Sequence, residues 1–585
     1  MKNKSKFEKL TNFLQDLKKF FSEANLGDLS KLYKKILKRL PDISHLKNIV
    51  FFSGVATLFI FVLFAQRFNS LYEHLPSKPT TGGVFVEGMV GNIKQLNPLY
   101  TPTNSAEESV ASILFSGLTK NTSNKEVIGN LAESWEVSKD KQTYTFKLRE
   151  DIYWHDGERL DADDVFFTFQ TIQNPDANSP RLATWKDVKV EVIDERNVAF
   201  VLPSPLASFI YLTDVPILPE HILSKVPVSN LRAAEFSTNP IGSGPYIFSE
   251  IKMIKDTQEV HLIVNEEYYQ GRPFIDKVVM KSFPNYGSLT HAYNRKDVMS
   301  VSRLRPYDVN RDNYLPKIRA KNLVIPEYDV VFYNLNSEIL KDKLLREAIS
   351  LSIDKKKIVK EVYYDEAVIT NSALLPGYLG YNTKLKQEFN IDAAKKKLEK
   401  GGYKLSATKK LTKENNEINL RLVSVDEELK RKEASILAKM IGELGITVNV
   451  ENYPIKTYIE DMIRPRNYDL LLTTQNLGPD SDIYTFYHTN MATDPGLNLS
   501  GIKNRQIDKY LEDARTSADP KLRASKYSEI SKFINNEFIA TYICWPSYLY
   551  GISSEVKGVE LTKIINPKDR FWNIEDWYIV SERDY

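Results

Sequence analysis

Apolar side chains occupy every second position in several short segments of the chain. Residues 144–148, 188–192 and 198–202 alternate in this way, which predicts half-buried β-strands. Residues 468–474 contain a short apolar run, typical of a strand that is buried on both faces. A further strand is predicted at residues 447–450.

Other segments have apolar residues at helical spacing. One predicted helix begins after Asp161, with Asp164 in its first turn, and ends at Asn174-Pro175. More helices are predicted at about 341–351, from Asp354, and at 430–444, 505–515 and 521–536. Strands and helices therefore alternate, which predicts mixed α/β sheets covered by helices in at least two lobes.

The N-terminal part has a different pattern. Residues 49–65 contain no charged side chain and lie between Lys47 and Arg67, so we predict one transmembrane helix at 48–66. Residues 1–47 contain twelve Lys or Arg and five Asp or Glu, a net charge of +7, which predicts a cytoplasmic N-terminus. Their amphipathic pattern fits a basic segment on the inner membrane surface or, equally well, a small helical hairpin.

A cleaved signal peptide is the alternative for this segment. It is disfavoured because the basic region is long, and because Leu63 and Phe64 stand where a cleavage site needs small residues. Residues 67–81 have the composition of a tether, and fully extended they would reach roughly 50 Å. The folded part is predicted to begin near Gly82.

Composition and motifs narrow the function classes. The 585 residues are 42% hydrophobic and carry a net charge of only +3, which gives no support to nucleic-acid binding. The single cysteine, Cys544, excludes an internal disulfide, and the seven histidines show no metal-ligand spacing. Catalytic motifs are absent, and Gly242-Ser243-Gly244 lacks the outer glycine spacing of a nucleophile elbow. We therefore expect a binding protein, with no enzymatic activity, cofactor or metal.

Several stretches together resemble one family, the extracytoplasmic solute-binding proteins of family 5. These are the peptide, dipeptide, oligopeptide and nickel receptors of ABC importers. The resemblance covers about residues 82–585 and is carried by residues 131–135, 144–149, 155–158, 162–166, 242–246, 265–276, Asn334, 346–349, 353–354, 444–446 and 468–469.

The resemblance implies a two-lobed, periplasmic-binding-protein-like α/β fold of type II. Lobe 1 would comprise residues 82–327 and 541–585, with an extra subdomain at about 121–205. Lobe 2 would comprise residues 328–540, and the crossings near 327–329 and 540–542 would form a hinge that closes over a ligand.

Peptide receptors of this family hold the ligand's α-amine with an aspartate of the second lobe. The equivalent stretch here is residues 476–484. In the register of the family, the aspartate falls on Asp480, on Asp482, or on Pro479, in which case it is lost. The alternative for this stretch is a solvated acidic turn. Tyr484 and Trp545 are aromatic candidates for the cleft wall, with hinge core as the alternative for Trp545.

The function implied is that of a membrane-anchored, extracytoplasmic receptor that binds a peptide or similar solute and delivers it to an ABC permease. The alternatives within this class are a nickel chelate or an oligosaccharide. The alternatives outside it are a tethered extracytoplasmic hydrolase and a signalling receptor with a basic cytoplasmic head.

The charge asymmetry predicts a topology that proteolysis can test. Protease added to intact cells should release a fragment that starts within residues 67–81 and should leave residues 1–47 protected. Recovery of residues 82–585 in the cytosol would contradict the receptor hypothesis.

Overall fold

The computed structural model describes residues 53–54, 57, 77–123, 126–309, 318–517 and 519–583. The chain divides into two compact units, residues 79–581 and residues 1–78 with 582–585. The described part of the chain holds no helix that is long and apolar enough to cross a membrane. The predicted head at 1–47, most of the predicted span at 48–66 and residues 67–76 of the predicted tether lie outside the described residues.

A seven-stranded sheet, here called the first sheet, contains both early and late parts of the chain. Its central strand, Val84–Val90, runs parallel to Lys277–Phe283 and to Ser300–Val301. The order of its strands is Ile318–Leu323, Tyr548–Ser553, Ser300–Val301, Val84–Val90, Lys277–Phe283, Thr257–Val264 and Tyr246–Ile254. The first sheet is therefore completed only when the chain returns to it near its C-terminus.

A six-stranded sheet, here called the second sheet, has apolar cores on both faces. Its strands are, in order, Ala367–Ile369, Ala540–Pro546, Glu327–Tyr333, Leu470–Asn476, Asn419–Val425 and Thr447–Tyr453. The helices packed in these two cores include Lys343–Ser352, Lys355–Tyr363, Ile391–Lys400, Glu428–Gly442, Arg505–Thr516 and Pro520–Asn536.

A four-stranded sheet lies within the range 121–205 that was predicted as an extra subdomain. Its strands are, in order, Ala132–Val137, Thr143–Leu148, Asn197–Val201 and Lys189–Asp194, and helix Ala162–Gln173 packs on it. Its core is continuous with that of the first sheet. The remaining longer helices of the described residues are Ser105–Leu114 and Tyr286–Asn294. Two small sheets have two strands each: Thr119–Asn121 with Val127–Gly129, and Ser77–Pro79 with Ser581–Arg583. A third small sheet has three strands, in the order Lys404–Leu405, Leu411–Lys413 and Asn416–Glu417.

The chain passes between the first and second sheets at two places. The first passage lies between Leu323 and Glu327, and the second lies between Pro546 and Tyr548. The crossings were expected near residues 327–329 and 540–542, which lie inside strands Glu327–Tyr333 and Ala540–Pro546 of the second sheet. The division of the chain into two lobes at 327/328 and 540/541 stays a prediction.

Local capping explains why the sequence predicted the helices well. The Asp161 side chain accepts the amide of Asp163, and Asp164 bonds back to the amide of Asp161, so the two carboxylates satisfy amides at the start of helix Ala162–Gln173. Asp354 accepts the amide of Lys357, and Asp519 accepts that of Lys521. The predicted strands and helices at these places are confirmed.

His155 joins two motifs that the sequence had singled out separately. Its Nε2 donates to the Gly244 carbonyl at 3.0 Å, and its Nδ1 accepts from the Gly242 amide at 3.2 Å. A Cβ on Gly242 would lie 1.9 Å from the Leu114 carbonyl oxygen, so only glycine fits there. Burial lowers the pKa of His155 to about 4, because the charged imidazolium would lose its hydration.

This histidine predicts a pH dependence of stability. Between its ordinary pKa of 6.5 and its folded pKa of about 4, the unfolded chain binds a proton that the folded chain does not. Stability should therefore fall as the pH drops through this window, by about 1 kcal/mol per pH unit for the partly exposed ring. Urea unfolding of the wild type and of His155→Gln at pH 7, 6 and 5 measures this contribution. The stability advantage of the wild type should shrink as the pH falls, and a constant advantage would refute the assignment.

Candidate functional site

A cavity of about 1050 Å³ lies between the first and second sheets. Residues associated with the first sheet line one side, among them Met89, Tyr286, 302–306, Tyr548 and Arg570. Residues of the second sheet and its helices line the other, among them Glu327, Asp329, Tyr363, 427–430, Ile455, Tyr458 and Asn476. A ligand in this cavity would contact both sheets at once.

A buried ion cluster stands in the wall of the cavity on the second-sheet side. The Lys430 ammonium contacts the carboxylate of Asp329 and lies 3.1 Å from Glu433 Oε2. The Tyr363 hydroxyl donates to both carboxylates, and Thr474 Oγ1 donates to Asp329 Oδ1 at 2.5 Å. The cluster therefore ties helices Lys355–Tyr363 and Glu428–Gly442 to strands Glu327–Tyr333 and Leu470–Asn476.

The pKa shifts in this cluster follow from burial and from the neighbouring charges. Burial raises the pKa of Glu433 to about 7; Lys430 opposes this rise, and the nearby Asp329 adds to it. Burial opposes the charged form of Lys430, but the two carboxylates outweigh it and hold the lysine pKa above its ordinary value. The ammonium is thus held charged between its two partners.

The same cluster contains three groups that could ligate a metal ion. One ligand atom each of Asp329, Glu433 and Cys544 lies within 4.8 Å of the others. The Lys430 ammonium, however, contacts both carboxylates. Because this cation already neutralises the site, the residues present fit an ion pair better than a metal centre.

Four further ion pairs involve residues that line the cavity. Arg303 Nη2 lies 3.9 Å from Glu327 Oε2. Arg570 Nε donates to Glu87 Oε1 at 2.9 Å, with both side chains almost fully buried. Arg305 bonds Asp308 at 2.8 Å and reaches Glu428 on the opposite wall at 3.4 Å. The last pair links the two walls directly.

The residues predicted from the sequence as ligand contacts lie outside this lining. Asp480 pairs with Arg523 at 2.6 Å, and Asp482 pairs with Arg515 at 2.7 Å. The two arginines come from helices Pro520–Asn536 and Arg505–Thr516, so the pairs connect the predicted loop to these helices. The assignment of a ligand to this loop stays a prediction.

The two predicted aromatic residues also have partners within the protein. The Tyr484 ring stacks on His488 with centroids 4.1 Å apart, and the Arg515 guanidinium lies 3.8 Å from the centroid of the Tyr484 ring. The Trp545 indole donates to the Ile325 carbonyl at 2.5 Å, beside the first passage between the sheets. Both rings pack against the core on one face of the second sheet.

The sequence reasoning did not select the charged residues of the cavity. Lys430 and Glu433 lie three residues apart in a predicted helix, and a charged pair within an apolar helical stripe is a signal that could have been used. Glu427 and Glu428 follow strand Asn419–Val425, at the end of the strand where a loop can reach a ligand. Arg303 and Arg305 lie in a part of the chain that has no local pattern indicating a site.

The chain is similar in sequence to peptide-binding proteins of other bacteria. The oligopeptide-binding protein AppA of Bacillus subtilis (strain 168) is 28% identical over 533 residues, which cover 88% of this chain and 94% of that protein. The dipeptide-binding protein of Escherichia coli (strain K12) is 25% identical over 485 residues, covering 77% and 86% of the two chains.

Solved structures show the same fold. The oligopeptide-binding protein AppA from Bacillus subtilis in complex with a nonapeptide superposes with a TM-score of 0.74 at 26% identity and covers 86% of this chain and all of its own. NikZ from Campylobacter jejuni in complex with Ni(L-His) gives a TM-score of 0.72 at 23% identity, covering 85% and 99% of the two chains, and this likeness concerns the fold alone. The two-lobed α/β fold of periplasmic binding proteins, which the resemblance implied, is thereby confirmed.

The family model for bacterial extracellular solute-binding proteins, family 5, matches residues 126–495. This range exceeds half of the chain and includes parts of both sheets and the whole four-stranded sheet. The protein therefore belongs to the family 5 bacterial extracellular solute-binding proteins.

Proposed function

We propose that this protein binds a peptide in the cavity between the first and second sheets and delivers it to an ABC importer. The observation that carries the proposal is the cavity itself, which is lined by charged, polar and apolar side chains from both sheets. The peptide-binding names of its relatives support peptide as the solute.

The size of the cavity favours an extended ligand. Its volume of about 1050 Å³ lies at the upper end of the range for sites that hold drug-sized molecules, roughly 300–1,000 Å³. A peptide of several residues would fill such a space and contact both walls. Because the bound form would gain contacts to both sheets, the ligand would favour closure of the two lobes.

The cavity suits binding better than chemistry. Its described lining includes no histidine and no cysteine, and its lysine, Lys430, is held in the buried ion cluster. The serines of the lining therefore have no histidine beside them to act as a general base. We propose that the protein binds its ligand without converting it.

The N-terminal pattern completes this proposal. The predicted span at 48–66 would hold the protein in the cell membrane, with the basic head inside and the binding domain outside. Residues 67–81 would then keep the binding domain within roughly 50 Å of the permease's membrane surface.

For the peptide's terminal ammonium, which would then extend beyond the cavity lining, we propose Asp480 rather than Asp482. Both carboxylate oxygens of Asp482 are used, by the Tyr484 amide at 3.1 Å and by Arg515 at 2.7 Å. The bonds to Asp480 all go to Oδ1, from the Asp482 amide and from Arg523, so within the described part of the chain Oδ2 has no partner. Burial raises the pKa of Tyr211, and the nearby Asp480 charge adds to this rise.

Peptide binding without cleavage has a direct test. The full-length protein should gain thermal stability with added peptide, by about 2.7 kcal/mol at a hundredfold excess over Kd, since a ligand that binds only the folded state stabilises it. Calorimetry measures the shift, and mass spectrometry of the recovered peptide should find it intact. Cleaved product would contradict the binding-only proposal.

The assignment of Asp480 is tested by a matched pair of variants. Asp480→Asn should weaken peptide binding by roughly 2–5 kcal/mol, because a desolvated ammonium would lose its charged partner. Asp482→Asn makes the same chemical change in the same loop and also removes an arginine partner, yet affinity should change little. An N-acetylated peptide should bind the wild type weakly. Equal affinity of both variants and the wild type, measured by titration calorimetry, would show that both aspartates serve only their arginines.

A further inference from the structure

The charged side chains that line the cavity form an almost complete set of pairs. Arg303 faces Glu327, Arg305 faces Asp308 and Glu428, Asp329 faces Lys430, and Arg570 faces Glu87. The remaining charged residue of the lining is Glu427, and within the described residues its carboxylate has no hydrogen bond and no ion pair. Glu427 is therefore the charged residue of the described lining that has no ion pair, and its exposed carboxylate lies in the field of Arg303.

Glu427 occupies a fixed position on the wall. Its backbone accepts the Arg431 amide at 2.8 Å as helix Glu428–Gly442 begins, but its side chain does not cap that helix. The neighbouring Glu428 already binds Arg305 from the opposite wall, which shows that a carboxylate at this point of the chain reaches a cation across the cavity. Glu427 has no such protein partner.

Tyrosines on both walls of the cavity lie close enough to Glu427 for its charge to affect their pKa values. Burial raises the pKa of Tyr286 on the first-sheet side, and it raises that of Tyr458 on the second-sheet side to about 12. The negative charge of Glu427 adds to the rise at both hydroxyls. Ile455, which is 58% exposed, lines the same region and offers an apolar surface.

A second polar group of the cavity also lacks a partner. Arg570 is 1% exposed, and its Nε and Nη1 bond Glu87, Ser109 and the Pro567 carbonyl. Its Nη2 has no hydrogen-bond acceptor in the described part of the chain. A buried donor without an acceptor is costly, so a shift of the side chain that brought Nη2 to the carbonyl oxygen of a bound peptide would be favoured. This independent observation points to a polar ligand in the same cavity.

We propose that Glu427 selects peptides that carry a basic side chain, lysine or arginine, at the position that reaches this wall. This inference rests on the proposed peptide-binding function and specifies its substrate class. The methylene stem of such a side chain would lie along Ile455 while its cationic end reaches the carboxylate. Closure of the two lobes would remove water from the pair and so strengthen the charge-assisted hydrogen bond between the cation and the Glu427 carboxylate.

The experiment compares peptides that differ in one charge. Nine-residue alanine-based peptides carry a single lysine scanned through the internal positions, and each has a norleucine counterpart of similar length and no charge. Titration calorimetry with the full-length protein should find one position at which lysine binds roughly tenfold or more tightly than norleucine. Glu427→Gln should abolish this preference, and Glu427→Lys should favour glutamate at the same position.

Asp426→Asn is the matched control. It removes the same charge one residue away, but Asp426 pairs with Arg431 at 2.6 Å and does not line the cavity. The lysine preference should persist in this variant. If the lysine preference vanishes in this variant as well, it arises from the total negative charge of the loop, and the assignment to Glu427 is wrong.

The remaining outcomes separate this inference from the proposed function. If the peptides bind but lysine and norleucine are equivalent at every position, the inference fails and peptide binding stands. If Glu427→Gln weakens lysine and norleucine peptides alike and N-acetylation removes its effect, Glu427 holds the terminal ammonium, and the proposed selectivity is overturned. If none of the peptides binds, the proposed function itself fails.

Discussion

Compensation of buried charge is the constraint on which the cavity depends. Lys430 is almost completely buried, and it is tolerated because Asp329 and Glu433 surround its ammonium. Loss of Lys430 would leave the two carboxylates without a cation in a medium that solvates charge poorly, a cost of several kcal/mol. The requirement that Lys430 reach Asp329 holds the start of helix Glu428–Gly442 against strand Glu327–Tyr333, and so it fixes where Glu427 meets the cavity.

The first sheet uses the same principle on the other wall. Glu87, in the central strand, accepts hydrogen bonds from Arg570, Ser300 and Tyr550, and it is fully buried. Arg570 comes from the C-terminal segment, so this one carboxylate binds parts of the chain that are distant in sequence. Each wall of the cavity is thus held by an ion pair that is buried within that wall.

The pairs that connect the walls are of another kind, and one of them joins Arg303 to Glu327 at 3.9 Å, with side chains 45% and 17% exposed. The Arg305 side chain is 24% exposed and Glu428 is 67% exposed, at a distance of 3.4 Å. Exposed ion pairs contribute about 0–1 kcal/mol, because water solvates both partners well when they separate. Strong pairs inside each wall and weak pairs between the walls are what opening and closing around a ligand require. The hinge would move while the walls keep their shape.

Much of the fold could be read from local signals in the sequence. Asp161 with Asp164, and Asp519 before Pro520, marked where helices begin, because a capping side chain acts on amides only two or three residues away. Alternation at residues 144–148 marked a strand for a similar reason, since it reflects which side of a single strand is buried. The motif resemblance then identified the family, which the comparisons confirm.

The candidate site was less accessible to such reasoning. Residues 476–484 were selected by resemblance, but the sequence could not tell that Arg523 and Arg515, from two later helices, would reach Asp480 and Asp482. Nor could it tell that Glu427 would remain unpaired while its neighbour Glu428 meets Arg305.

The sequence by itself thus determined the family and those helices and strands that have clear periodicity or capping, because these depend on short-range pattern and motif order. The strands of the first sheet were not among them. Only the tertiary structure decided which charges are paired and which strands are neighbours. Strand Val84–Val90 lies beside Lys277–Phe283, and Glu327–Tyr333 lies beside Ala540–Pro546, across separations that no local pattern records. An ion pair forms only when two side chains lie within a few ångströms of each other, and for residues distant in sequence this proximity arises only when the chain has folded.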